Sequence, residues 1–124
     1  MRLEHINLTV GNIESSYEFY RRLFGLEKSW EGHVEGEKNP VRAMHIGNDA
    51  LYLALFEAEK PGRAPADYSS PGINHFGLQV ESLVPYRKTL ASMRIPVHLE
   101  GDYAPGERFY FYDPDGTEIE LVSY

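Results

Sequence analysis

From Leu3 to Val10 the chain alternates: Ile6, Leu8 and Val10 fall on one side of an extended backbone, His5, Asn7 and Thr9 on the other. A period of two is the mark of a strand buried on one face. Gly11 ends it, and Asn12 suits a helix N-cap with Glu14 in the first turn. Ile13, Tyr17, Tyr20 and Phe24 then recur at helical spacing, and Gly25 closes the helix as a left-handed C′ residue. Three further strands are predicted at about 26–34, 41–47 and 50–56, with Gly47, Asn48 and Asp49 turning between the last two.

The order then repeats. Residues 73–80 predict a strand with Phe76, Leu78 and Val80 on one face and His75, Gly77 and Gln79 on the other. Ser82 is expected to cap a helix with the apolar stripe Leu83, Tyr86, Leu90 and Met93. Pro85 is tolerated because a first helical turn has no hydrogen bond to lose. Pro96 ends the helix, and strands follow near 97–101, 108–112 and 117–123. Asp113-Pro114-Asp115-Gly116 joins the last two as a type I turn. In the final strand Ile119 and Leu121 should face the core, which sends Glu120 to the opposite face.

The repetition extends to individual residues. At an offset of seventy, Leu3 meets Ile73, His5 meets His75, Leu8 meets Leu78 and Val10 meets Val80. One supersecondary unit is used twice. The expected architecture is α+β: two βαβββ modules in one chain, forming a cupped, partly closed eight-stranded mixed sheet with helices on the outside. A single domain would span 1–124, with modules at about 1–57 and 73–124 and a linker at about 58–72, where Pro and Gly concentrate.

Duplication pairs the chemistry too. At an offset of sixty-eight, Ala50-Leu51-Tyr52-Leu53 aligns with Glu118-Ile119-Glu120-Leu121, making Tyr52 the mate of Glu120. Two imidazoles and one carboxylate on polar strand faces are a suitable donor set for a divalent first-row metal with open positions. His5, His75 and Glu120 are therefore the candidate metal ligands, for one Fe, Mn, Ni, Co or Zn ion per site.

Composition narrows the partners. Nineteen acids against twelve bases give a net charge of −7, which disfavours nucleic acid. No apolar run approaches the ~20 residues of a membrane span, and the first residues lack a signal-peptide layout. Cysteine is absent, so thiolate ligands and nucleophiles are unavailable. A cytoplasmic protein acting on a small molecule is expected.

The segments His5-Ile6-Asn7-Leu8-Thr9-Val10, Asn74-His75-Phe76-Gly77-Leu78-Gln79-Val80 and Phe111 to Leu121 together resemble the vicinal oxygen chelate superfamily. That superfamily includes glyoxalase I, fosfomycin-resistance proteins, extradiol dioxygenases, methylmalonyl-CoA epimerase and bleomycin-resistance proteins. The resemblance implies that His5, His75 and Glu120 hold a divalent metal acting as a Lewis acid on a substrate with adjacent oxygens. It implies a pocket that Tyr52, Asn7 and Gln79 help to line, and a catalytic Tyr110, ten residues before Glu120, whose hydroxyl polarises an oxygen bound at the site. The fourth-ligand place that glyoxalase I and the epimerase fill with Glu, Gln or His falls to Tyr52. Ala66-Asp67-Tyr68 and Arg108-Phe109-Tyr110-Phe111 resemble the fosfomycin branch, but its phosphonate-binding cations are missing from 100–106. Glu57 is a candidate base, and His45 and His98 read as ordinary strand histidines. Lyase, isomerase and ring-cleavage chemistry all stay open. The resemblance further implies a homodimer in which modules of two copies complete each site. The alternative is a metal-free protein of the bleomycin-resistance type that sequesters a small molecule in an acidic cleft.

Overall fold

The N-terminal alternation forms strand β1 (His5–Val10), followed by helix α1 (Ile13–Phe24) and strands β2 (Glu27–Val34), β3 (Val41–Gly47) and β4 (Tyr52–Glu57). The second set is β5 (His75–Gln79), α2 (Val84–Ser92), β6 (His98–Tyr103), β7 (Gly106–Tyr112) and β8 (Glu118–Ser123). This computed structural model describes residues 1–63 and 68–124 and divides into two units, Met1–Gly62 and Arg63–Tyr124. Ala66 and Asp67 of the Ala66-Asp67-Tyr68 motif lie outside the described residues. The α+β class and the twofold βαβββ order are those the sequence predicts. The eight strands are distributed over two four-stranded mixed sheets, ordered β1-β4-β3-β2 and β5-β8-β7-β6. In each, the first and last strands of the module run parallel side by side and the remaining pairs are antiparallel.

In the first unit α1 packs against β3 and β4. Asn12 caps it by accepting the Ser15 N–H at 2.9 Å, and Gly25 ends it at φ 67° with its N–H on the Arg21 carbonyl. Only glycine takes that left-handed conformation without strain. The buried stripe is Ile13, Ser16, Phe19, Tyr20 and Leu23. Tyr17 and Phe24, expected in it, are only half-buried, because the Tyr17 hydroxyl reaches outward to Glu27 at 3.3 Å and receives the Lys28 N–H. Leu53, Leu55, Met44 and Ile46 supply the buried side of the sheet. Each apolar side chain fully removed from water stabilises the fold by roughly 1.5–3 kcal/mol.

The second unit is built likewise on Phe109, Phe111, Ile119, Leu121, Leu83 and Leu90, all buried. Helix α2 lies over this face, with the Arg87 guanidinium 4.6 Å from the Phe109 ring. Its start departs from expectation. Leu83 occupies the N-cap position without a side-chain cap, while the Ser82 hydroxyl accepts the Val84 N–H at 3.3 Å from one residue earlier. Strand β6 runs to Tyr103, further than expected, and is irregular between His98 and Gly101, where Leu99 takes φ 48°.

Candidate functional site

Strand β8 sets the site. Asp113 Oδ1 accepts the N–H groups of Asp115 at 2.9 Å and Thr117 at 2.8 Å, locking the turn that launches it. With Ile119 and Leu121 in the core, the two-residue period sends Glu118 and Glu120 to the other face. Register then places His75 opposite Glu118 and Gly77 opposite Glu120 on β5, and Tyr112 and Tyr110 opposite the same two acids on β7. A Cβ at Gly77 would meet Glu120 Oε2 at 3.4 Å, an ordinary van der Waals contact.

His75 and Glu120 are thus brought together: Nε2 lies 3.2 Å from Oε2, with the two side chains 28% and 12% exposed. Two ligands each about 2.1 Å from one ion, at angles of about 90–109°, stand about 3.0–3.4 Å apart. The pair therefore fits two donors of a common divalent cation. Among the described residues no set of three His, Asp or Glu side chains is assembled as a ready metal cage. Glu120 Oε1 accepts from Arg108 Nη1 at 3.0 Å, so the oxygen turned toward His75 is the other one, Oε2. The Tyr110 ring meets His75 edge-on at 5.1 Å. Burial, reinforced by the negative charge of Glu120, raises the Tyr110 phenol above its usual value, so it stays a proton donor.

A second layer sits beside this pair. Glu118 is 2% exposed; its Oε2 receives His98 Nε2 at 2.8 Å and its Oε1 receives the Tyr68 hydroxyl. Burial pushes the Glu118 carboxyl up, but the hydrogen bonds from Tyr68 and His98 outweigh it and the net shift is downward. Tyr68 also lies 3.1 Å from His75 Nδ1.

His5 belongs to the first unit. Its Nδ1 meets Glu4 Oε2 at 2.7 Å, and its ring stacks on Tyr52 at 4.8 Å. Tyr52 continues to His45 at 4.8 Å, and His45 to Trp30 at 4.9 Å, forming a column of four rings. Burial and then Glu4 raise the Tyr52 phenol. Asn7 donates to the Ala54 carbonyl at 3.1 Å, while Gln79 is exposed on β5 opposite Val122.

Two expectations are corrected. His5 pairs with Tyr52 as His75 pairs with Glu118, so the register counterpart of Tyr52 is Glu118; that of Glu120 is Ala54, opposite Asn7. His5 to Tyr52 is four residues longer than His75 to Glu118, and the match at sixty-eight allowed for only two of them. Glu57 does not stand as a free base: its Oε2 accepts the Ile13 N–H at 3.1 Å and holds the start of α1. The sequence reading also missed Glu118, His98 and Arg108. The alternation that exposed Glu120 applies equally to Glu118, whereas the partners of both acids depend on cross-strand register.

Comparison with known proteins agrees with this architecture. The chain is 32% identical to the trivalent organoarsenical cleaving enzyme of Bacillus sp. (strain MD1), over 98% of this chain and 72% of that enzyme. It is 29% identical to catechol-2,3-dioxygenase of Bacillus subtilis (strain 168), over 96% of this chain and 40% of the enzyme. In fold it resembles the fosfomycin resistance protein FosX of Listeria monocytogenes complexed with Mn(II) and sulfate, with TM-score 0.74, 19% identity, and coverage of 99% and 92%. The model of the Glyoxalase/Bleomycin resistance protein/Dioxygenase superfamily matches residues 2–121, and the chain belongs to that superfamily.

Proposed function

We propose that the chain is a divalent-metal-dependent enzyme acting on a small substrate with adjacent oxygens, with His75, Glu120 and His5 as metal ligands. The observation that carries this reading is the 3.2 Å approach of His75 Nε2 to Glu120 Oε2 on neighbouring parallel strands. His5 comes from the family resemblance, supplied by the same chain or by a second copy in a homodimer. When bound, the ion supplies Lewis-acid chemistry that polarises the chelated oxygens. The protein's own groups do the rest. Tyr110 keeps its proton and donates it as a hydrogen bond to a substrate oxygen. Arg108 fixes Glu120 through Oε1 and offers positive charge to an anionic substrate. Asn7, Gln79 and Tyr52 help to line the pocket. A cytoplasmic setting is part of the proposal, and no helix among the described residues is long and apolar enough to cross a membrane.

The relatives' printed activities, organoarsenical cleavage and catechol dioxygenation, are bond-cleaving reactions on small molecules and support a lyase or ring-cleavage outcome. Trivalent arsenic is a soft, thiophilic centre, and these 124 residues contain no cysteine. An oxygen-chelating substrate is the better match.

The Arg108–Glu120 ion pair favours one second reading, because it neutralises Glu120 without a metal, as a sequestering protein would require. Metal analysis and calorimetry decide. One Mn(II) or Fe(II) per chain in the wild type, with at least tenfold weaker binding in His75→Ala, Glu120→Gln and His5→Ala, supports the enzyme. A wild type that takes up no divalent metal overturns it, and unchanged binding in His5→Ala removes that residue alone.

A further inference from the structure

We propose that Tyr68 and Glu118 are positioning residues that set the tautomer and orientation of His75, presenting its Nε2 to a cation shared with Glu120. This rests on the reading of His75 as a ligand, and the geometry gives it direction. A phenol has one proton to donate. Tyr68 gives that proton to Glu118, so its oxygen meets His75 Nδ1, at 3.1 Å, as an acceptor. The ring must then carry hydrogen on Nδ1, which leaves Nε2, on its far side, to hold a cation shared with Glu120.

The reverse arrangement, a protonated Glu118 with Tyr68 donating to His75, conflicts with the surroundings. His98 Nε2 stands 2.8 Å from Glu118 Oε2, and the Tyr112 hydroxyl also bonds the carboxylate. An acid 2% exposed and met by three donors is built to accept hydrogen bonds. A buried carboxylate has no structural need to stand two residues from Glu120; an apolar residue would fill the place at lower cost. Ring contacts complete the clamp: Tyr110 meets His75 edge-on, and Tyr68 lies nearly parallel to it at 6.3 Å.

The test uses protein labelled with ¹⁵N histidine and stripped of metal. Long-range ¹H–¹⁵N spectra report which His75 nitrogen bears hydrogen, with the His75→Gln spectrum supplying the assignment. Wild type should show hydrogen on Nδ1, and Tyr68→Phe should shift the population to Nε2. Calorimetry with Mn(II) should show 10–100-fold weaker binding in Tyr68→Phe, the usual cost of losing a group that orients a metal-ligating histidine. Tyr68→Phe with Glu118→Gln should bind no worse than about twofold below Tyr68→Phe alone, since both act through one chain of hydrogen bonds. A wild-type His75 without hydrogen on Nδ1, or a Tyr68→Phe tautomer identical to wild type, overturns the proposal. Tyr68 is 57% exposed, so its truncation by one oxygen leaves folding intact even where Glu118→Gln does not fold. A wild type that binds no Mn(II) refutes the ligand reading, while the metal-free spectra still decide the positioning role.

Discussion

Asp113 offers the sharpest test of how the turn positions the acids of β8. Its carboxylate is buried, and one oxygen accepts two backbone N–H groups, from Asp115 at 2.9 Å and Thr117 at 2.8 Å. Backbone bonds close the same turn, from Asp113 N–H to the Thr117 carbonyl at 2.9 Å and from Gly116 N–H to the Asp113 carbonyl at 3.1 Å. Hydrogen bonds to a charged group are each worth about 1.5–3 kcal/mol, and stranding a buried donor costs about as much. The two share one acceptor, so their losses overlap. Asp113→Ala should destabilise the protein by about 2–4 kcal/mol. Asp113→Asn keeps an acceptor oxygen at that place and should cost only about 1–2 kcal/mol, the difference between charged and neutral bonds. Urea unfolding with a common m-value measures both. The register that sets Tyr110 opposite Glu120 begins at this turn, so Asp113→Ala should also weaken metal uptake beyond its effect on stability. If Asp113→Asn is as damaging as Asp113→Ala, or if Asp113→Ala costs under about 0.5 kcal/mol, the turn is held by its backbone and the reasoning fails.

Replacing Arg108 by Leu strands the Oε1 lone pairs of Glu120 and should cost about 1.5–3 kcal/mol in metal-free protein. Saturating Mn(II) should recover part of the loss, and a thermal-melt difference unaltered by Mn(II) would argue against a cation at this carboxylate. Gly25→Ala should cost about 1 kcal/mol, since φ 67° strains any side chain although nothing crowds the site; Asn should be milder, and equal melting temperatures would contradict this. Glu59 accepts the N–H groups of Glu37, Lys38 and Asn39, and those bonds hold its carboxyl below 4.5. A depressed carboxylate contributes stability above its unfolded pKa, and that contribution is lost as pH falls through its folded value. Amide exchange at residues 37–39 should therefore accelerate, beyond its intrinsic pH dependence, as pH drops below 4.5, and Glu59→Gln should flatten that response.

Much of the fold was readable because two signals agree. The alternation in β1, β5 and β8 and the duplication of the histidine strand both give βαβββ twice. Ile119 and Leu121 are buried as their spacing requires, and Glu120 follows by exclusion. The limits are equally physical. A sequence offset counts residues, whereas a strand pair counts register, and the two differ by two residues between β4 and β8. Tyr52 was accordingly matched to Glu120 when it corresponds to Glu118. Hydrogen bonds across strands and loops, such as those of His98 and Tyr68 with Glu118, join residues 20 and 50 positions apart in the chain. No local pattern announces them. Ser82 shows a smaller version: a good cap residue sits one place too early because the helix begins after Leu83.

The chain holds one tryptophan, and the ring column gives it a use. Trp30 touches His45, His45 touches Tyr52, and Tyr52 lies flat against His5. Whatever pulls the His5 imidazole out of that column disturbs a neighbour of a neighbour of the indole. Trp30 emission should therefore shift when a divalent ion is added if His5 is a ligand, and emission that the ion leaves unaltered would count against His5.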